Sequence, residues 1–310
     1  GEYVEKACSF VEGWGGGDYW YRGVCSDTFQ LLPSLFRNLD ENVSLYANQT
    51  RFLKAAYYIT LSDPTLWSNQ AKGIAEHTCL LQHYGMPTSL LDFSSDMLVA
   101  LHFALNPDDP TDQKKVDEYI YQPKVVLFNP LVYNEAVLSL SKGDFVPNPE
   151  NISPVLFDAY DNVVSEYFVH NMSPEYLIET SRDLKNYVPN PRIDKYPRPL
   201  VIRRSNSRIL AQSGTFLAYN LMAKPQKEAE EPYLYLALES IQQEYKKLLQ
   251  EKGREPKSKD FLKEIYINPF GVPKIKKELQ TMKISTARMY PELYRGFGEY
   301  MQKISSDTEK

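Results

Sequence analysis

Three short stretches of this 310-residue chain concentrate the side chains able to act on a ligand. In Tyr21-Arg22-Gly23 an arginine follows aromatic residues. Its planar guanidinium can fork onto phosphate oxygens, and the glycine would let a ligand come close to the backbone. An ordinary surface or ion-pair arginine is the equal alternative. The run from Gln82 to Ser94 places His83, Tyr84, Thr88, Ser89 and Asp92 around Gly85 and Pro87. It is expected to be an irregular segment just ahead of a helix N-terminus, an end that attracts anions. Simple capping of that helix by Asp92, Ser94 or Ser95 competes with this reading. His83 can titrate near neutral pH or be satisfied by neighbouring backbone. The third stretch holds Arg203, Arg204 and Arg208, followed by Gln212 ahead of Gly214. Clustered arginines can bind phosphate or pair with acids, and Gln212 is a neutral donor and acceptor with no carboxylate beside it.

These residues need elements to hold them. Trp14-Gly15-Gly16-Gly17-Asp18 reads as a turn before the strand-favouring aromatics Tyr19-Trp20-Tyr21, which puts Arg22 at a strand end. Helical spacing of Phe52, Ala55, Ala56 and Ile59 predicts a helix from Thr50. Another is expected from Ser95 or Asp96 through Leu98, Leu101 and Leu105 to Asn106-Pro107. His102 lies on that apolar face and reads as a core histidine. Residues 108–118 are charged and read as a surface loop before a strand at Val125–Phe128. Residues 200–202 and 216–221 read as strands on either side of the third stretch. Leu234, Leu238, Ile241, Tyr245 and Leu248 mark an amphipathic helix stopped by Gly253. A short strand over 264–267 and a helical face of Ile275, Leu279 and Met282 follow. Strands and helices without a regular β-α-β rhythm predict an α+β fold. Residues 130–199, rich in tyrosine and proline, read as a possible insertion in a single-domain chain of 1–310. The segment 232–310 reads as helical and packed on the same core.

Composition narrows the functions further. Forty acidic against 35 basic residues give a net charge of −5, which excludes the global electrostatic footprint of a nonspecific nucleic-acid binder. Cys8, Cys25 and Cys79 are widely spaced without a CxxC pair, so neither a disulfide framework nor a structural zinc site is indicated. No apolar run reaches the roughly 20 residues of a membrane helix. The N-terminus has no basic-then-apolar leader, and a cytoplasmic protein without membrane contact is expected. GxGxxG, P-loop, HExxH and GxSxG motifs are absent, against dinucleotide folds of the Rossmann type, P-loop hydrolysis and zinc-peptidase chemistry. No metal site is expected.

Taken in order, the stretches resemble the FRG domain family. The resemblance is carried by Tyr21-Arg22-Gly23, Leu32-Pro33-Ser34-Leu35-Phe36-Arg37, Gln82-His83-Tyr84-Gly85-Met86-Pro87-Thr88, Leu90-Leu91-Asp92, Ala100-Leu101-His102-Phe103-Ala104 and Arg208–Phe216, and it continues into 266–293. At the position after Thr88, where this family commonly has Arg, the chain has Ser89. The layout is in turn similar to that of ADP-ribosyltransferases. That similarity implies a central split sheet with flanking helices and an insertion, and NAD as substrate. Arg22 would hold an NAD phosphate or ribose together with Tyr21, Gly23 and Arg37. Tyr84, Thr88 and Ser89 would line the nicotinamide pocket. Gln212 would stand in the region of the family's glutamate, with Asp92 as the substitute carboxylate and His83 as a further catalytic candidate. The implied protein is a toxin-like transferase of toxin-antitoxin or anti-phage defence systems, with a nucleic-acid or protein acceptor and an antitoxin as a possible partner. The alternative is a noncatalytic nucleotide- or nucleic-acid-binding module using Arg22, Arg37 and Arg208.

Overall fold

A computed structural model describes residues 2–13, 19–37, 82, 88–141, 196–200, 207–219, 224–225, 234–235, 237–253 and 260–291. The helix expected from Thr50 and the candidates His83 and Tyr84 lie outside them, as does most of the stretch expected to be an insertion. Helix α1 (Glu2–Gly13) leads to strand β1 (Trp20–Val24) and the short helix α2 (Ser34–Arg37). Strand β2 (Leu90–Ser94) runs into α3 (Met97–Leu105), and α4 (Pro110–Asp117) precedes β3 (Lys124–Phe128) and α5 (Pro130–Leu140). Then come β4 (Arg198–Leu200), α6 (Ser207–Ala211), β5 (Gly214–Ala218), and the two-residue strands β6 (Lys224–Pro225) and β7 (Leu234–Tyr235). Helix α7 (Leu238–Glu251), β8 (Leu262–Tyr266), α8 (Val272–Thr281) and α9 (Thr286–Met289) complete the described chain.

Six strands form one antiparallel sheet in the order β4-β5-β2-β1-β3-β8, which bears out the α+β class. Strand periodicity sends alternate side chains to opposite faces. Trp20, Leu91, Phe93, Val126, Phe128 and Leu217 build one core with Tyr133 of α5 and Ile241 and Tyr245 of α7. Tyr21, Val125, Leu127 and Ile265 build the other with Val99, Ala100 and Ala104 of α3 and Leu279 of α8. Helices therefore cover both faces. No helix among the described residues is long and apolar enough to cross a membrane.

Helix α3 starts and stops for local reasons. Asp96 accepts the N–H groups of Leu98 and Val99, and the Asn106 N–H closes the last turn on the His102 carbonyl. His102 is buried, as its place on the apolar face predicts, and its ring contacts Asn106 and Thr286. Gly253 ends α7 just past its last turn, at φ +60°, a conformation glycine adopts without penalty.

Several elements differ from the sequence expectation. Arg22 lies in the middle of β1 rather than at its end, since Gly23 and Val24 continue the pairing with β3. The stretch ahead of α3 is the regular strand β2, and Asp96 caps the helix in place of Asp92, Ser94 or Ser95. Residues 110–117 are the helix α4, not loop: Asp109 accepts from Thr111 and Asp112, and Pro110 opens the first turn. On α7 the buried position is Leu249, one residue beyond Leu248, while Leu234 belongs to β7.

The glycine of the first stretch serves packing. A methyl group at Gly23 would overlap the Ala100 carbonyl oxygen and the Ala104 amide nitrogen, so β1 and α3 touch backbone to backbone at this point. The space a side chain would take at Gly23 is filled by the helix. Replacing Gly23 by alanine must push α3 off the sheet, at a cost near the upper end of the ~1–3 kcal/mol typical of overpacking. Urea denaturation of Gly23→Ala should show a midpoint well below that of the unaltered protein.

Candidate functional site

The sheet is split at its centre. Strands β1 and β3 pair at five positions, from Trp20↔Phe128 to Val24↔Lys124, whereas β1 and β2 pair only at Tyr21↔Ser94. Beyond that bridge the strands part. In a continuous ladder Arg22 and Asp92 would stand on opposite faces. Across the gap the Arg22 Nη1 donates to the Asp92 backbone carbonyl at 2.5 Å and lies 3.9 Å from Asp92 Oδ2. The guanidinium thus serves a carbonyl that a strand partner would otherwise have served.

A cavity of about 860 Å³ opens at this split. Arg22, Arg37 and Arg208 line it, with Asp92, Gln82, Gln212 and Tyr290, and Asp108 and Asp109 just before α4 and Asp112 in its first turn also reach its wall. Tyr21 and Gly23 also contribute to the wall. The structure therefore brings Arg22, Asp92, Gln212, Tyr21, Gly23 and Arg37 together around one space. Thr88 and Ser89 are buried and are not part of that wall. The Thr88 hydroxyl bonds Gln82 and accepts the Leu90 N–H, and the Ser89 carbonyl accepts the Tyr219 N–H. A buried polar group is held by its hydrogen bonds, and these turn the Thr88 hydroxyl inward.

Asp92 alone breaks the burial of β2. Its side chain is 52% exposed, within the recess of the cavity, and Arg22 beside it is 17% exposed. Confinement raises the Asp92 pKa above the ordinary carboxylate value, against the opposing pull of Arg22, Arg37 and Arg208. The same loss of solvent draws the Arg22 guanidinium down to about 10, with Asp92 opposing the shift and Arg37 adding to it. Arg22 stays charged at neutral pH. The wall thus carries three guanidinium groups and four carboxylates, with Asp92 the carboxylate set beside Arg22.

The third stretch is tied to the second by short bonds. Ser94 Oγ donates to the Gln212 carbonyl at 2.8 Å, and both the amide and the hydroxyl of Ser95 donate to the Ser213 carbonyl. Ser213 carries φ +49°, a left-handed conformation disfavoured outside glycine, and these bonds hold it there. Gln212 Nε2 donates to the Met289 carbonyl at 3.1 Å, which fastens α9 to the turn between α6 and β5. Arg208 stacks over the Tyr290 ring at 4.2 Å, and the Tyr290 hydroxyl donates to Asp108 at 2.7 Å. Burial, followed by Asp108, pushes the Tyr290 phenol well up, so it remains a donor.

Gln82 and Tyr290 were not singled out as site residues from sequence. Gln82 opens the second stretch, and only the folded chain shows its amide beside Asp92. Tyr290 lies among the family-like final residues, 182 residues from its Asp108 partner, and nothing in its spacing points to the cavity. Among the described residues no group of His, Cys, Asp and Glu is arranged to hold a metal ion.

Fold and site together define an α+β protein whose split antiparallel sheet opens onto an arginine-lined cavity. Residues 17–113 match the FRG domain family, and the chain carries an FRG domain. The match takes in Arg22, Arg37, Gln82 and Asp92, while Arg208, Gln212 and Tyr290 come from beyond it. No curated protein and no solved structure matches the chain.

The raised Asp92 pKa has a definite sign for stability. An acid titrating higher in the folded than in the unfolded chain favours folding fully below the unfolded value of 3.8, and that advantage is lost as pH rises through the folded value. Asp92→Asn removes this linkage. Urea denaturation from pH 4 to pH 7 should show the unaltered protein losing stability relative to Asp92→Asn as pH rises.

Proposed function

We propose that the cavity binds NAD as substrate and that the chain is a toxin-like ADP-ribosyltransferase acting in the cytoplasm on a nucleic-acid or protein acceptor. One observation carries this reading: Arg22, Arg37 and Arg208 line the same cavity as the half-exposed Asp92. The volume lies within the roughly 300–1,000 Å³ of small-molecule sites. Guanidinium groups suit a pyrophosphate through paired, charge-assisted hydrogen bonds. Cleavage of the bond from ribose C1′ to the nicotinamide nitrogen sends the electron pair to nicotinamide and leaves positive charge on the ribose. A carboxylate in a confined site stabilises that charge better than an amide does. Asp92 supplies it. The acceptor's nucleophile then bonds C1′ and gives its proton to solvent. The split between β1 and β2 agrees with the central split sheet implied by the transferase resemblance. A setting in toxin-antitoxin or anti-phage defence, with an antitoxin shielding the site, belongs to the same proposal.

A noncatalytic nucleotide-binding module is the second reading, favoured by Gln212, whose amide nitrogen is engaged by the Met289 carbonyl. Labelled NAD incubated with the protein and a cell lysate separates the two. Transfer of label to the protein or RNA fraction is expected, with Arg22→Ala lowering the rate by about 100-fold or more, as for loss of a preorganised charge-stabilising donor. Folded protein giving neither transfer nor NAD hydrolysis overturns the enzyme reading, and retained NAD binding would then establish the module.

A further inference from the structure

The Thr88 hydroxyl is sealed from solvent. It accepts the Leu90 N–H at 3.2 Å, so its single proton is directed to its other neighbour, Gln82 Oε1. That donation fixes the amide. With Oε1 turned to Thr88, Nε2 faces Asp92 and donates to Oδ1, while Arg22 lies toward Oδ2. We propose that Thr88 and Gln82 form a positioning relay that holds the Asp92 carboxylate in one orientation and in its charged form toward the cavity. The catalytic use of this relay rests on the transferase reading; its geometry does not. Thr88 thereby acts through two hydrogen bonds instead of touching a ligand, the role its place in the motif had suggested.

The relay supplies something the arginines do not. Arg22 of β1, Arg37 of α2 and Arg208 of α6 favour the charged form of Asp92 through space, and Asp108, Asp109 and Asp112 face the same cavity from the start of α4. A neutral N–H aimed at one oxygen also fixes the rotamer, and it stabilises the carboxylate only while the amide keeps its direction. Without the Thr88 proton the Gln82 amide can turn over and present Oε1 to Asp92, which repels the charged form.

Direct titration of the Asp92 carboxyl carbon by NMR, assigned through Asp92→Asn, tests this without NAD. Thr88→Val should move the Asp92 titration upward by on the order of one unit, the size expected for losing a hydrogen bond to a charged group. Gln82→Leu, a change at the cavity wall, should do the same. The double variant should add nothing beyond Gln82→Leu, and Thr88→Ser should restore the original titration because it keeps the hydroxyl. An unchanged Asp92 titration in folded Gln82→Leu, or additive shifts in the double variant, overturns the relay. The shift without any NAD turnover supports the relay and sinks the transferase reading, whereas turnover without the shift supports the transferase reading and sinks the relay.

Discussion

The guanidinium of Arg22 reaches across the place where β1 and β2 part and takes the Asp92 carbonyl that a strand partner would have taken. An unpaired carbonyl inside a sheet costs free energy comparable to a lost hydrogen bond, so the split needs a donor of this reach. A lysine would give a point charge; arginine gives a planar fork that serves the carbonyl and still faces a carboxylate and a cavity. The same opening that Arg22 bridges forms the cavity. Sheet geometry and site chemistry therefore depend on a single side chain.

Around that contact the balance of charge decides what can enter. Arg22, Arg37 and Arg208 share the cavity wall with Asp92, Asp108, Asp109 and Asp112, and desolvation opposes ionisation of both Arg22 and Asp92. Ions in such a setting are stable only where partners compensate the lost water. The far wall is built differently, from the Tyr290–Asp108 bond and the Arg208–Tyr290 stack, and the Gln212–Met289 bond keeps that wall in place. Elements from both ends of the sequence thus meet at one cavity.

Much of this frame was legible before folding. The apolar period of 97–105 and 238–251, the breaks at Asn106-Pro107 and Gly253, and the strand character of 125–128 follow from side-chain spacing and backbone preference, and the structure agrees. Residues 110–117 misled because their charges mask a helix whose start depends on the Asp109-Pro110 pair. Residues 90–94 misled because a five-residue strand with one charged member resembles a polar loop until its neighbours β5 and β1 are known. At Gly23 the sequence shows a missing side chain without showing that a helix fills that space.

The residue types alone pointed to an α+β protein, made Arg22 and Asp92 candidates, and carried the FRG-domain pattern that spans them. Those properties are local: they reside in spacing, composition and short motifs. Only tertiary structure decided that Arg208, Gln212 and Tyr290 join Arg22 and Asp92 around one cavity, and that Thr88 faces inward to Gln82 while Gly23 receives a helix. Such placements depend on strand register and on where two strands separate, which arise from contacts between residues far apart in the chain.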